Sequence, residues 1–283
     1  MKRLGCCLLG LLFVGYAFAQ PTEKVLDDAF LKCQYRHTYL KDTLDIAVFE
    51  DLFILQIRKN NSKWYSYYTF QNDSLKSTPD GQEKWKQMFD KALEDWKKHR
   101  NRTRFMNSFS HSRSRETVYK DYPEKKITVT DVIRGDWVSY KDTLNAQPWQ
   151  MTDSTKEVLG YVCQQAVCYF RGRYWTAWFA PDIPVSDGPW KFGGLPGLIL
   201  EVYDRGYQYH FTMMGVEKTA NDPIVFSLPV NEKAVYKSVQ RKEFLKAKFF
   251  DLNHSGSLMN AEYGLSMGED KPVYRDLIER DYK

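Results

Sequence analysis

The chain has 283 residues, a net charge of +5 and an aromatic share of 16%. A charge this mild excludes the electrostatic footprint of a nucleic-acid binder. Aromatic side chains at this level favour strands, broad cores and ligand-facing walls.

The first nineteen residues form a secretory signal peptide. Lys2 and Arg3 supply a positive start, Leu8 to Val14 an apolar run, and Ala17-Phe18-Ala19 an A-x-A cleavage pattern. The apolar run falls short of the ~20 residues that a membrane span needs. Leu4-Gly5-Cys6 faintly resembles a lipobox, but it precedes the apolar run instead of following it. The mature chain then begins at Gln20, with a net charge of +3 once Lys2 and Arg3 are removed. No later stretch is apolar enough to span a bilayer as a helix. The expected destination is the periplasm, the outer-membrane periphery or the exterior.

Cys6 and Cys7 leave with the signal peptide, so Cys33, Cys163 and Cys168 remain in an oxidising compartment. On a continuous strand Cys163 and Cys168 point to opposite faces, and the residues between them are not turn formers. The expected disulfide joins Cys33 to Cys163 or to Cys168, with one thiol left over. No Cys or His spacing supports a metal site.

Phe49 to Arg58, a turn at Asn60-Asn61-Ser62, and Lys63 to Phe70 read as a β-hairpin. Thr78-Pro79-Asp80 opens a helix whose apolar stripe is Trp85, Met88, Phe89, Ala92, Leu93 and Trp96, lying over a sheet. From Lys97 to Arg115 there are seven basic residues, no acid, and serines at 108, 110, 112 and 114. This reads as a solvated, mobile insertion, or as a patch for an anionic partner.

Strands resume over residues 117–122, 126–134 and 137–144. Trp149 to Asp153 leads into one long or bulged strand, Lys156 to Arg171, and Gly172 turns the chain into Tyr174 to Ala180. Leu198 to Asp204 and Tyr207 to Glu217 form a further hairpin, and Val239 to Phe250 a helix. The tail, residues 251–283, reads as loose. Strands dominate without βαβ alternation, so the sheet is expected to be antiparallel.

Between Tyr174–Ala180 and Leu198 lies a segment crowded with Pro, Gly and bulky apolar residues, Pro181 to Gly197. Glycine and proline here fix an unusual backbone path. Its candidate binding residues are Trp175, Trp178, Phe179, Asp182, Asp187, Trp190, Phe192, Gly193, Gly194, Leu195, Pro196 and Gly197. The aromatic members either line an apolar ligand wall or pack under the loop. Trp175 and Trp178, three apart on a strand, face opposite sides. Asp182 and Asp187 could do acid/base work or bind a cation, but turn capping is the simpler role. No nucleotide, metalloprotease or serine-hydrolase motif is present, and His37 and His210 sit in alternating strands where a packing role is expected. No catalytic residue and no cofactor is assigned.

GGLPGLILE, with WTAWFAPDIPVSDGPWKF before it, resembles the signature of the GLPGLI, or Porph_ging-type, family of secreted Bacteroidetes proteins. FILQIRKNNSKWYSYYTFQNDSL, VYKDYPEKKITVTD and LGYVCQQAVCYFRGRYWTAWF extend the resemblance. The basic insertion and the tail match poorly. The resemblance supplies no activity and no catalytic residues. It implies an envelope accessory or ligand-handling role, because such proteins are often encoded beside TonB-dependent outer-membrane receptors.

The expected fold is mainly β: a curved antiparallel sheet or incomplete barrel over residues 20–250, with one or two covering helices. By analogy of shape alone it resembles lipoprotein carriers of the LolA type. The expected function is non-enzymatic binding of an apolar or peptide-like ligand. The alternatives are docking to an outer-membrane receptor and an unrecognised hydrolase using Asp182, Asp187 or His210.

Overall fold

The computed structural model describes residues 24–40, 48–227, 235–254 and 276–283. The expected signal peptide, residues 1–19, and residues 255–275 lie outside these. The described residues form one open sheet of twelve strands: β1 (Lys24–Leu40), β2 (Val48–Ile57), β3 (Asn61–Ser66), β4 (Thr117–Asp121), β5 (Lys126–Ile133), β6 (Asp136–Thr143), β7 (Gln150–Val158), β8 (Tyr161–Phe170), β9 (Arg173–Ala180), β10 (Leu198–Asp204), β11 (Tyr209–Phe226) and β12 (Lys237–Ser238). Their spatial order is β12-β6-β5-β4-β3-β2-β1-β11-β10-β9-β8-β7. Every described pairing is antiparallel except the short parallel contact of β12 with β6. The open, mainly antiparallel sheet is the fold class expected from the strand pattern.

Alternation decides which face is buried. Phe53, Leu55 and Ile57 of β2 are buried and lie opposite Ser66, Trp64 and Ser62 of β3. The same phase continues through Cys33 and Tyr35 on β1, Val118 on β4 and Val129 on β5. At the other end it runs through Val202, Ala177 and Ala166. Helix α4 (Arg241–Asn253) covers this inner face, with Phe244 against Tyr140 at 4.8 Å between ring centres.

Helices α1 (Tyr67–Lys76) and α2 (Pro79–His99) pack against each other beside β2 and β3, and a short α3 (Arg102–Asn107) follows. Ser66 ends the strand early: its hydroxyl accepts from the Thr69 amide and caps α1, so the hairpin expected to reach Phe70 stops at Ser66. Thr78 caps α2 in the same way, with Pro79 in the first turn. The Trp85 and Phe89 rings stack at 5.1 Å and meet Phe109.

The structure corrects three further expectations. The strand expected over 156–171 is two strands, because Leu159 (φ 51°) and Gly160 (φ 81°) form a tight hairpin turn. The serine–arginine half of the basic segment is tied down: Arg115 pairs with Asp73 at 3.2 Å, Thr69 Oγ1 donates to the Ser114 carbonyl at 2.7 Å, and Arg113 donates to the Glu50 carbonyl at 2.6 Å. Residues 276–283, expected to be loose, are docked, with Leu277 and Tyr282 buried.

The expected disulfide is absent, and Cys33, Cys163 and Cys168 are all free and buried. Cys33 sits on β1 and the other two on β8, with β11, β10 and β9 between. At the usual strand spacing this is about 19 Å along the sheet, against the ~7 Å between Cα atoms that a disulfide tolerates.

The sheet margins differ. β12 is two residues long, and β7 breaks register with β8 between Met151 and Thr155.

Candidate functional site

The signature loop connects two paired strands, since Ala180 lies opposite Leu198 and Phe179 opposite Ile199. Its own backbone closes it: the Ile183 amide donates to Ala180, the Leu198 amide to Ile183 at 3.0 Å, and the Ile199 amide to Asp187 at 3.0 Å. Gly197 allows the close approach at its base, because a side-chain carbon there would lie 2.3 Å from the Ala180 carbonyl oxygen. Gly194 takes φ +85°, a conformation that other residues adopt only with strain.

Side chains from the sheet then anchor the loop. Lys120 of β4 donates to Asp187 Oδ1 at 2.5 Å, to the Gly188 carbonyl at 2.8 Å and to the Phe192 carbonyl at 2.7 Å. Tyr122 donates to Asp187 Oδ2 at 2.5 Å. The Trp149 indole donates to the Gly193 carbonyl, Gln147 to the Lys191 carbonyl, and the Trp190 indole to Glu116. Lys191 pairs with Asp142 at 2.9 Å and with Glu279. Phe192 is wedged between Trp175, at 4.7 Å, and Trp190, at 5.2 Å.

Electrostatics follow from burial. Desolvation holds the Lys120 ammonium below the usual lysine range although Asp187 opposes it. Burial and the Asp187 charge push the Tyr122 hydroxyl well above the usual phenol range. Burial pushes Glu116 up, but Lys248, Lys191 and the Trp190 indole together hold it below the ordinary carboxylate range.

The candidate residues therefore separate. Trp175, Phe179, Asp187, Trp190, Phe192, Gly193, Leu195 and Gly197 are buried. Asp182, Gly194 and Pro196 are exposed, together with Pro181, Pro184 and Ser186. Asp182 and Asp187 do not converge: one is at the rim and the other in the core. Trp178 is on the opposite face from Trp175, under the Lys156 ammonium at 4.6 Å.

His210 is on that outer face. Its Nε2 is 2.7 Å from Glu201 Oε1 and 3.0 Å from Thr212 Oγ1, and Glu201 also pairs with Lys156. His37 stacks on Phe211 at 4.1 Å, and burial depresses its pKa to about 3, so it is neutral at physiological pH. Among the described residues no group of His, Cys, Asp and Glu is arranged to hold a metal ion, and no helix is long and apolar enough to cross a membrane.

Sequence reasoning missed Lys120, Tyr122, Glu116, Gln147, Trp149 and Glu279. For Lys120 a signal existed: it falls on the inward phase of β4, in step with Val118, where a lysine requires a buried partner.

Two crystal forms of PNGF-II, in space groups P21 and C2, resemble this structure. Each has a TM-score of 0.49 and 11% identity, covering 79% of this chain and 33% of that chain. The chain thus spans about a third of the length of the solved chains it matches. No curated protein matches it. Residues 171–201 match the family described as "Protein of unknown function (Porph_ging)". The arginine-flanked start of β9, the glycine–proline loop and the head of β10 thus carry the signature of the Porph_ging family, the family that the sequence resembles.

Proposed function

We propose that this protein is a non-enzymatic, exported envelope protein that docks a partner protein through the rim of its signature loop. One observation carries the reading: the loop is anchored from beneath and bare on top. Pro181, Asp182, Pro184, Ser186, Gly194 and Pro196 are exposed, while the residues between and after them are packed or bonded to the sheet. A rim held this way loses little conformational entropy on association, which favours recognition by a preformed surface.

Carriage of an apolar ligand is less well supported. Trp175, Trp190, Phe192 and Leu195 pack on one another and on the core, so they offer no wall. Two surface depressions among the described residues lie elsewhere, one between α1 and α2 around Leu75 and Gly81, the other around Pro148, Phe170 and Arg280. The family resemblance points to an outer-membrane receptor as partner.

A photo-crosslinking residue placed at position 182 or 184, in cells that natively make the protein, tests this. The expected outcome is one discrete envelope-protein adduct from the rim positions and none from position 141 on β6. No adduct from the rim, or the same adduct from position 141, would overturn the proposal.

A further inference from the structure

We propose that Lys120 and Asp187 condense into an intramolecular amide bond that fastens the signature loop covalently to β4.

The geometry supplies each part of such a reaction. Nζ of Lys120 is 2.5 Å from Asp187 Oδ1, and the two side chains are 1% and 0% exposed. The Gly188 and Phe192 carbonyls, at 2.8 and 2.7 Å, can take the two N–H bonds of a neutral amine. That leaves its lone pair for the carboxyl group. The Gly188 amide donates to Oδ1 at 2.7 Å and holds the carboxyl group in register with Nζ. The Tyr122 hydroxyl donates to Oδ2 at 2.5 Å, where negative charge would develop.

The chemistry balances without an added reagent. In a site closed to water the charged pair is disfavoured, and the ammonium proton passes to the carboxylate, giving an amine and a carboxylic acid. That proton lands on Oδ1, the carboxylate oxygen that Nζ faces. The Nζ lone pair attacks Cγ, the N–C bond forms, and the carbonyl electrons move onto Oδ2, where the Tyr122 hydroxyl donates. The bond from Cγ to Oδ1 then breaks as the electrons on Oδ2 return, and Oδ1 leaves as water with the carboxyl proton and one proton from the amine it faces. No oxidation state changes. Burial supports this, because it favours the neutral amine of Lys120 and keeps the Tyr122 phenol protonated. Fixed proximity supplies the effective concentration that free amines and acids lack in water.

Mass spectrometry of the purified, folded wild-type protein after denaturation and trypsin digestion decides the matter. The expected result is a joined pair of peptides, Glu116–Lys125 and Tyr174–Lys191, uncut at Lys120 and lighter than their sum by one water. Lys120→Arg supplies the unlinked reference. Release of Glu116–Lys120, together with Tyr174–Lys191 at its unmodified mass, would overturn the proposal and leave an ordinary buried ion pair. This readout needs no variant to fold. Tyr122→Phe keeps the ring and is expected to leave a large unlinked fraction. Complete linkage in that variant would overturn the role of Tyr122 as donor to Oδ2.

Discussion

Lys191 and Glu279 form an ion pair with both side chains 1% exposed, joining the signature loop to the last eight residues of the chain. Arg241 of α4 pairs with the same Glu279, and Arg171 and Arg241 both reach Asp281. Arg173 holds the Leu277 and Ile278 carbonyls, at 2.8 and 2.9 Å. A short acidic segment is thus gripped by bases from the loop, from the β8–β9 turn and from α4. Removing Glu279 takes one of two carboxylate partners from both Lys191 and Arg241, leaving them Asp142 and Asp281, and the loss of such a charged hydrogen bond costs about 2 kcal/mol. Glu279→Ala should lower the urea midpoint accordingly. Lys191→Met combined with Glu279→Leu should cost less than the single change, because apolar side chains fill the site while Asp142 keeps Arg171 and Arg241 keeps Asp281 as partners. Equilibrium urea unfolding checks both.

The base of the loop depends on the absence of a side chain. At Gly197 a methyl group would meet the Ala180 carbonyl oxygen at 2.3 Å. Gly197→Ala should force β9 and β10 apart and destabilise the fold by about 3 kcal/mol. At Gly206, where the nearest atoms would be 3.7 Å away, the same change should stay within ~0.5 kcal/mol. Thermal unfolding of the two variants in parallel tests the contrast.

Asp51 is 4% exposed. It accepts from the Leu52 amide at 2.8 Å and from Ser66 at 3.2 Å. Burial raises its pKa from 3.8 to about 6, against the Ser66 bond and the Arg113 charge. A carboxyl group raised on folding is favourable below its unfolded value, and that contribution is lost as pH rises through 6. Asp51→Asn keeps both bonds in reach and removes the charge. It should therefore stabilise the protein at pH 8 by on the order of 3 kcal/mol, with the gain fading to nothing below about pH 4. A gain independent of pH would contradict this.

The three thiols should be inert in the native state. Burial pushes Cys163 up to about 11 and Cys168 up to about 12, and Cys33 higher still. The thiolate is the reactive form. A water-soluble disulfide reagent at pH 7.5 should label none of these cysteines in the folded protein and all three after denaturation. Native labelling of Cys163 above the others would point to opening of the β7–β8 hairpin.

Strand alternation was legible in β5, where Ile127 and Val129 mark the inner face, whereas β2 and β10 are buried on both faces over much of their length and were legible as short apolar runs. It failed where local chemistry overrode propensity. Tyr67, Tyr68 and Phe70 are strand formers placed in α1 by the Ser66 cap and by packing against α2. Leu159-Gly160 is not an obvious turn, yet both residues take positive φ there. The loop was recognisable as a fixed path from its prolines and glycines, but its anchors were not. Lys120, Glu116 and Glu279 lie far from the loop in the chain, and nothing in their local sequence names their partners. The docking of residues 276–283 depends on Arg171 and Arg173, which the sequence places more than a hundred residues away.

A pleated ribbon of this breadth has two margins, and either could recruit further molecules by lateral hydrogen bonding. The irregularity between Met151 and Thr155 spoils the template at one margin, and the brevity of β12 leaves little to copy at the other. The architecture thus carries its own stop signals against end-to-end fibre growth.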